Sequence, residues 1–249
     1  MQSLKFNDNK YLSDLFNKIV REVCLDEFGK KTCREVEDLI PNIPCPDQYL
    51  GKIQEFSDSD GDFPQREDVD RVLEQGLIFE NAIIVILESP HKREFVKCGR
   101  KWRAMGPACS CTGCLFRRHW SEIAGKYKFS TKGNLFFVNA IRYQCSLGFA
   151  ESIVTDKKLR ERIKSRVLCG CFFDRNGCFS KDLYDRVNRI VKQCSRSCVI
   201  VNACTRSKGC VKCHNAISRL IKKFHTDNLY DTTHPSSWYS LKNRKFKSL

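Results

Sequence analysis

Carboxylates are scarce over most of this chain. Residues 81–249 hold 11 Asp+Glu against 34 Lys+Arg, whereas residues 1–80 hold 18 against 10, so a segment of net charge −8 precedes one of +23. So few acids in the second segment count against a metal-dependent nuclease, whose hard cations need clustered carboxylates. No strand-like run is followed by G-x-G-x-x-G or by G-x-x-x-x-G-K-[ST], which counts against a Rossmann dehydrogenase and a P-loop NTPase. The lack of G-x-S-x-G counts against an α/β-hydrolase. No apolar run approaches the roughly 20 residues that span a bilayer, and residues 1–7 show no basic stretch followed by an apolar one. No internal repeat is evident. These absences together point to a cytoplasmic protein with no membrane partner.

What is present is a chain of 249 residues, 41% of them hydrophobic, enough for one large core. The expected organisation is one compact unit, with residues 1–80 an acidic helical segment packed on a basic core over 81–249. A field of +23 attracts a polyanion, and nucleic acid is the commonest one.

Hydrophobic periodicity predicts a helix over 10–28, with Leu12, Leu15, Phe16, Ile19, Val20 and Val23 on one face. From Ile43 to Gln65 the composition turns to Pro, Gly, Ser and Asp, reading as an exposed loop; its run Ser57–Asp62 lacks the later glutamate of a calcium loop. Residues 67–75 read as a short helix. Ala82–Leu87 is a continuous β-branched run, as expected of a strand buried on both faces, and Leu135–Val138 and Cys198–Val201 repeat it. Helical patterns over 157–168, 180–194 and 211–224 follow. Strands alternating with helices imply a three-layer α/β/α fold with a central, mostly parallel sheet of about four strands. The basic tail 242–247 reads as a frayed end.

Three short polar segments stand where such a sheet presents side chains to a ligand: Leu87-Glu88-Ser89-Pro90-His91, Phe137-Val138-Asn139-Ala140-Ile141 and Thr233-His234-Pro235-Ser236-Ser237. In order and rough spacing over residues 82–238 they resemble the motifs of the uracil-DNA glycosylase superfamily, the first being nearest to that family's glutamate-small-proline form. The resemblance implies a DNA glycosylase that extrudes a modified or deaminated pyrimidine and hydrolyses its N-glycosidic bond. It implies Glu88, His234 and Ser89 as catalytic residues and Asn139, His91 and Phe95 as base-binding ones. Ser236, Ser237, Trp238 and Tyr239 would meet DNA, one ring acting as a wedge for the vacated stack or else packing under its loop.

The chemistry asks for such residues. Cleavage develops positive charge on the sugar and negative charge on the departing base, so an anion is wanted on one side and a donor on the other. Glu88 offers the anion and His234 the donor, while Asn139 carries both a donor and an acceptor for reading a base edge. Ser89 stands where many members of the family carry a water-activating Asp or Asn. Met105-Gly106-Pro107-Ala108-Cys109 stands where they place a stacking aromatic, so a pocket for a base larger than uracil is expected, in repair or in defence against phage DNA. Lys92 and Lys97 are the nearest lysines for an alternative Schiff-base route.

Sixteen cysteines in a reducing compartment are read as metal ligands or buried thiols rather than disulfides. Cys109/Cys111/Cys114, Cys169/Cys171 with Cys178, and Cys210/Cys213 have chelating spacings, and the last pair best fits a structural zinc site. The resembling family includes branches with a four-cysteine iron-sulfur cluster; their N-terminal C-x-x-C is missing here, Cys178 matches one late ligand, and Cys145 matches another poorly. No cofactor is expected to be required for chemistry. The alternative to an enzyme is a noncatalytic, metal-stapled protein that recognises modified DNA.

Overall fold

A computed structural model describes residues 4–53, 66–99, 101–109, 111–127, 129, 133–146, 148–206, 209–226, 228–240 and 245–249. The acidic run 57–62 and residues 242–244 of the basic tail lie outside these. Among the described residues no helix is long and apolar enough to cross a membrane.

The chain opens with α1 (Leu4–Glu37), broken at Gly29, where φ is 75° and ψ 178°. Then come β1 (Gln48–Lys52), β2 (Glu67–Asp68) and α2 (Val69–Glu74), which Asp68 caps by accepting the Asp70 N–H. The buried run predicted at 82–87 forms β3 (Phe79–Leu87), and a hairpin of β4 (Phe95–Cys98) and β5 (Lys101–Ala104) follows it. Next are α3 (Cys111–Tyr127), β6 (Asn134–Asn139), α4 (Lys157–Phe172), α5 (Cys178–Lys192), β7 (Cys194–Asn202), α6 (Val211–Ile221), β8 (Leu229–Asp231) and β9 (Lys247–Ser248).

The main sheet has seven strands in the order β2-β1-β6-β3-β7-β8-β9, not about four. Its central four, β6, β3, β7 and β8, are mutually parallel; β1, β2 and β9 are antiparallel additions at the edges. The additions carry no apolar run: β2 and β9 have two residues each, and β1, although buried from Gln48 to Gly51, reads Gln-Tyr-Leu-Gly-Lys. The acidic segment therefore supplies sheet as well as helix. The tail is anchored rather than frayed at its end, since Phe246 is buried against Tyr127 and Phe129.

Alternation along the strands separates two cores. Ala82, Ile84, Ile86, Phe136, Val138 and Ile200 face α1, α4, α5 and α6; Ile83, Val85, Leu135, Phe137, Val199 and Val201 face α3 and the C-terminal segment. Helices thus cover both faces. The backbone after β3 connects toward β6 on one side, while the backbone after β7 connects toward β8 on the other. The carboxyl ends of β3 and β7 consequently flank a crevice of the kind open α/β sheets use for ligands.

Candidate active site

A cavity of about 410 Å³ occupies that crevice. Glu88, Ser89 and His91 enter it from the turn after β3, Thr205 from the turn after β7, and His234 and Ser236 from the turn after β8. One face of α4 closes it with Lys157, Arg160, Glu161 and Lys164, at helical spacing.

Glu88 is buried, and its carboxylate forms an ion pair with Lys164 while Oε2 has no hydrogen-bond partner. Burial by itself would lower the Lys164 pKa, but the charge and hydrogen bond of Glu88 outweigh it and hold the ammonium above its ordinary value. The partner of Glu88 is therefore neither Lys92, which pairs with Glu151 at 2.7 Å, nor Lys97, which lies over the Trp102 ring. Neither of those two lysines lines the cavity.

The two histidines are held alike. His234 precedes the 3₁₀ turn Pro235–Ser237, and its Nδ1 accepts the Ser236 N–H at 3.3 Å and lies 2.8 Å from Ser236 Oγ. His91 precedes the 3₁₀ turn Lys92–Glu94, and its Nδ1 accepts the Arg93 N–H at 3.2 Å. A ring nitrogen that accepts a backbone N–H carries no proton, so each neutral imidazole carries its proton on Nε2. Burial, helped by the Lys164 and His91 charges, pushes His234 down to about 4 against the opposing pull of Glu88. Burial and the neighbouring Arg93, Lys92 and Lys164 lower His91 as well. At neutral pH both are uncharged rings with Nε2–H to donate.

Asn139 ends β6 opposite Leu87 in the β3 register. Its backbone is pinned: the N–H donates to Asp47 Oδ1 at 3.2 Å, and the carbonyl accepts from Arg186, which in turn holds Asp47. Its side chain is buried with neither amide atom hydrogen-bonded, and it does not line the cavity. An unmet buried amide costs about 1–3 kcal/mol.

Phe95 does not line the cavity either, because it is buried at the base of the β4–β5 hairpin against Phe149. Of the two readings of Trp238, packing is the correct one. The ring is fully buried between Phe116 and Phe246, and its Nε1–H donates to Thr233 O at 3.0 Å. Tyr239, 75% exposed, is the ring free to meet a ligand. Ser237 Oγ is engaged within the turn, with the His234 carbonyl at 2.8 Å and Thr233 Oγ1 at 3.2 Å. Gly106, in the stretch that lacks an aromatic, has φ of 92°, and the Gln48 carboxamide occupies the space a β-carbon would need. Gln48 Nε2 donates to Met105 O at 2.9 Å, so a polar amide fills that corner.

Cys213 Sγ lies 3.5 Å from Cys169 Sγ, and the Cys145 thiol donates to Tyr143 O at 3.5 Å. Among the described residues no group of three or more His, Cys, Asp and Glu is gathered as metal ligands. Zinc at Cys210 and Cys213 thus rests on their spacing alone, the ligands of an iron-sulfur cluster are not assembled, and no chemical step is derived through either.

The α4 face is what the sequence reading missed. Its signal was there, since residues 157, 160, 161 and 164 share one helical stripe, which continues along the helix into the buried Leu168 and Cys171. No family model, curated protein or solved structure matches the chain.

Proposed function

We propose that the chain is a DNA glycosylase acting on a modified or deaminated pyrimidine. The observation that supports this most is the meeting of Glu88 with two imidazoles, each held as a neutral Nε2–H donor, in one crevice at the ends of the parallel strands. In this reading the extruded nucleotide enters the cavity with its sugar toward Glu88 and its base toward His234. As the C1′–N bond breaks, its electron pair leaves with the base, and His234 Nε2–H donates to the base oxygen on which charge grows. The Glu88 carboxylate, paired with Lys164, stabilises the sugar cation. Water, oriented by Ser89, adds to C1′ and gives its proton to Glu88, leaving an abasic site. Asn139 supplies the base-reading amide once the ligand reaches it, and among the described residues no Phe, Tyr or Trp ring lines the cavity to stack on uracil.

The test is alkali-revealed strand breakage on matched oligonucleotides bearing uracil, 5-hydroxymethyluracil or modified cytosines, and on phage DNA carrying such bases. Wild type is compared with Glu88→Ala and His234→Ala. Breakage on one substrate, abolished in both variants, is the expected result. Tight binding with no base release by wild type would replace this reading with a noncatalytic reader of modified DNA.

A further inference from the structure

The β4–β5 hairpin belongs to neither core of the main sheet. Its inner face is fixed to the rim of the cavity: Phe95 and Trp102 pack on Phe149, with centroids 6.5 and 4.4 Å away, and Gly148, beside Phe149, lines the cavity. At its base the Met105 N–H donates to the carbonyl of Glu94, another lining residue, at 2.7 Å. The outer face, Val96, Cys98, Lys101 and Arg103, is exposed. Lys97 covers the Trp102 ring from 5.6 Å, and Arg93 stands exposed at the start of the hairpin.

Arg93, Lys97, Lys101 and Arg103 have no acidic partner among the described residues. Several arginines elsewhere are paired. Arg162 and Arg166 pair with Glu27 and Asp26, Arg186 with Asp47 and Asp182, and Arg189 with Asp70. Four cations without an acidic partner thus stand on one short element at the cavity mouth.

We infer that this hairpin is a phosphate clamp, binding the backbone of the nucleic-acid strand on either side of the nucleotide that enters the cavity. The inference rests on the reading of that cavity as a site for an extruded nucleotide. Four residues of strand extend about 13 Å, which spans several phosphates of one strand. The aromatic and aliphatic inner face makes the support, and the cations make the contact. Arginine and lysine on a fixed ribbon hold the strand in register without reading its sequence.

The experiment titrates a fluorescent 20-mer, single- and double-stranded, with wild type and with R93Q/K97Q/K101Q/R103Q over a series of salt concentrations. Each phosphate contact contributes roughly 0.7 to the slope of log Kd against log salt for a single strand and roughly 0.9 for a duplex. The slope is therefore expected to fall by about 3 in the variant, and by somewhat under 1 in K101Q or R103Q alone. An equal-charge control on α1, K10Q/K30Q/K31Q/R34Q, is expected to keep the wild-type slope. All the substituted side chains are exposed, and an unchanged thermal melt confirms folding.

An unchanged slope in the quadruple hairpin variant, or an equal loss in the α1 control, overturns the clamp while leaving the glycosylase reading intact. Loss of slope in the hairpin variant, with no base release by wild type on any substrate, upholds the clamp and removes the enzyme. A wild type that binds neither oligonucleotide overturns the clamp outright.

Discussion

Replacing Lys164 by Met isolates the Glu88–Lys164 pair. The Glu88 carboxylate has 5% of its side chain exposed and Lys164 has 28%, so the variant strands an anion that solvent hardly reaches. Breaking a fully buried pair costs about 3–5 kcal/mol; with the lysine partly solvated, about 2 kcal/mol is expected here. For a chain of this size that lowers Tm by about 4–8 °C. The sign of the pH dependence follows from the unfolded chain, whose glutamates ionise near 4.3. Above that value the variant must desolvate an unpartnered anion on folding, and below it the penalty disappears. The deficit against wild type is thus full at pH 7 and shrinks as the pH falls toward 4. Adding Glu88→Gln removes the charge and returns part of the loss, so the double variant is more stable than the sum of the single effects predicts. Urea unfolding at pH 7 and pH 4.5 measures all of this. A Lys164→Met protein as stable as wild type at pH 7, or one whose deficit grows toward low pH, would refute the argument.

His234, held near 4, stays neutral where an ordinary histidine has begun to charge, so its ring proton resonances are expected to titrate near that value. Stability contributed there is complete above 6.5 and is lost as the pH falls through 4, because the unfolded ring takes its proton first. A titration midpoint near 6.5 would contradict the burial of this ring. Trp238→Ala is expected to cost about 3–5 kcal/mol in chemical unfolding, while Tyr239→Ala leaves stability unchanged and weakens DNA binding. Arg186→Met strips Asp47 of its ion pair and leaves Asp182 only Arg142, and is expected to cost about 3–5 kcal/mol, read as a fall in the urea midpoint.

The parallel centre of the fold was legible because strands buried on both faces have to be continuous apolar runs, as Ala82–Leu87 is. The outer strands were not, since β2, β8 and β9 are only two or three residues long and β1 reads Gln-Tyr-Leu-Gly-Lys, with no apolar run. Helix α3 was hidden by attention to its cysteines, although Phe116, Trp120, Ile123 and Ala124 keep its apolar stripe. At the site, Glu88, Ser89, His91 and His234 could be placed because each immediately follows or flanks a strand end. Phe95 and Trp238 could not, because an aromatic that packs inward and one that points at a ligand look the same in a sequence. Nor could Lys164, since a cation pointing into a cavity from a helix carries the same letter as one facing solvent.

Helix α4 has two charged faces with different fates. Arg162 and Arg166 are neutralised by Asp26 and Glu27 from the acidic N-terminal segment, while Lys164 pairs with Glu88 inside the cavity and Lys157 and Arg160 face it with no acidic partner among the described residues. The acids of the first eighty residues therefore do more than hold α1 in place. By cancelling charge on one side of the molecule and sparing it at the cavity mouth, they give the protein an electric dipole. On the function proposed above, a nucleic acid approaching from solution would exert a torque on that dipole before any contact forms, turning the crevice toward itself. Orientation, the slow part of a protein's search for its partner, is thus begun at a distance, and its range contracts with the Debye length as salt is added.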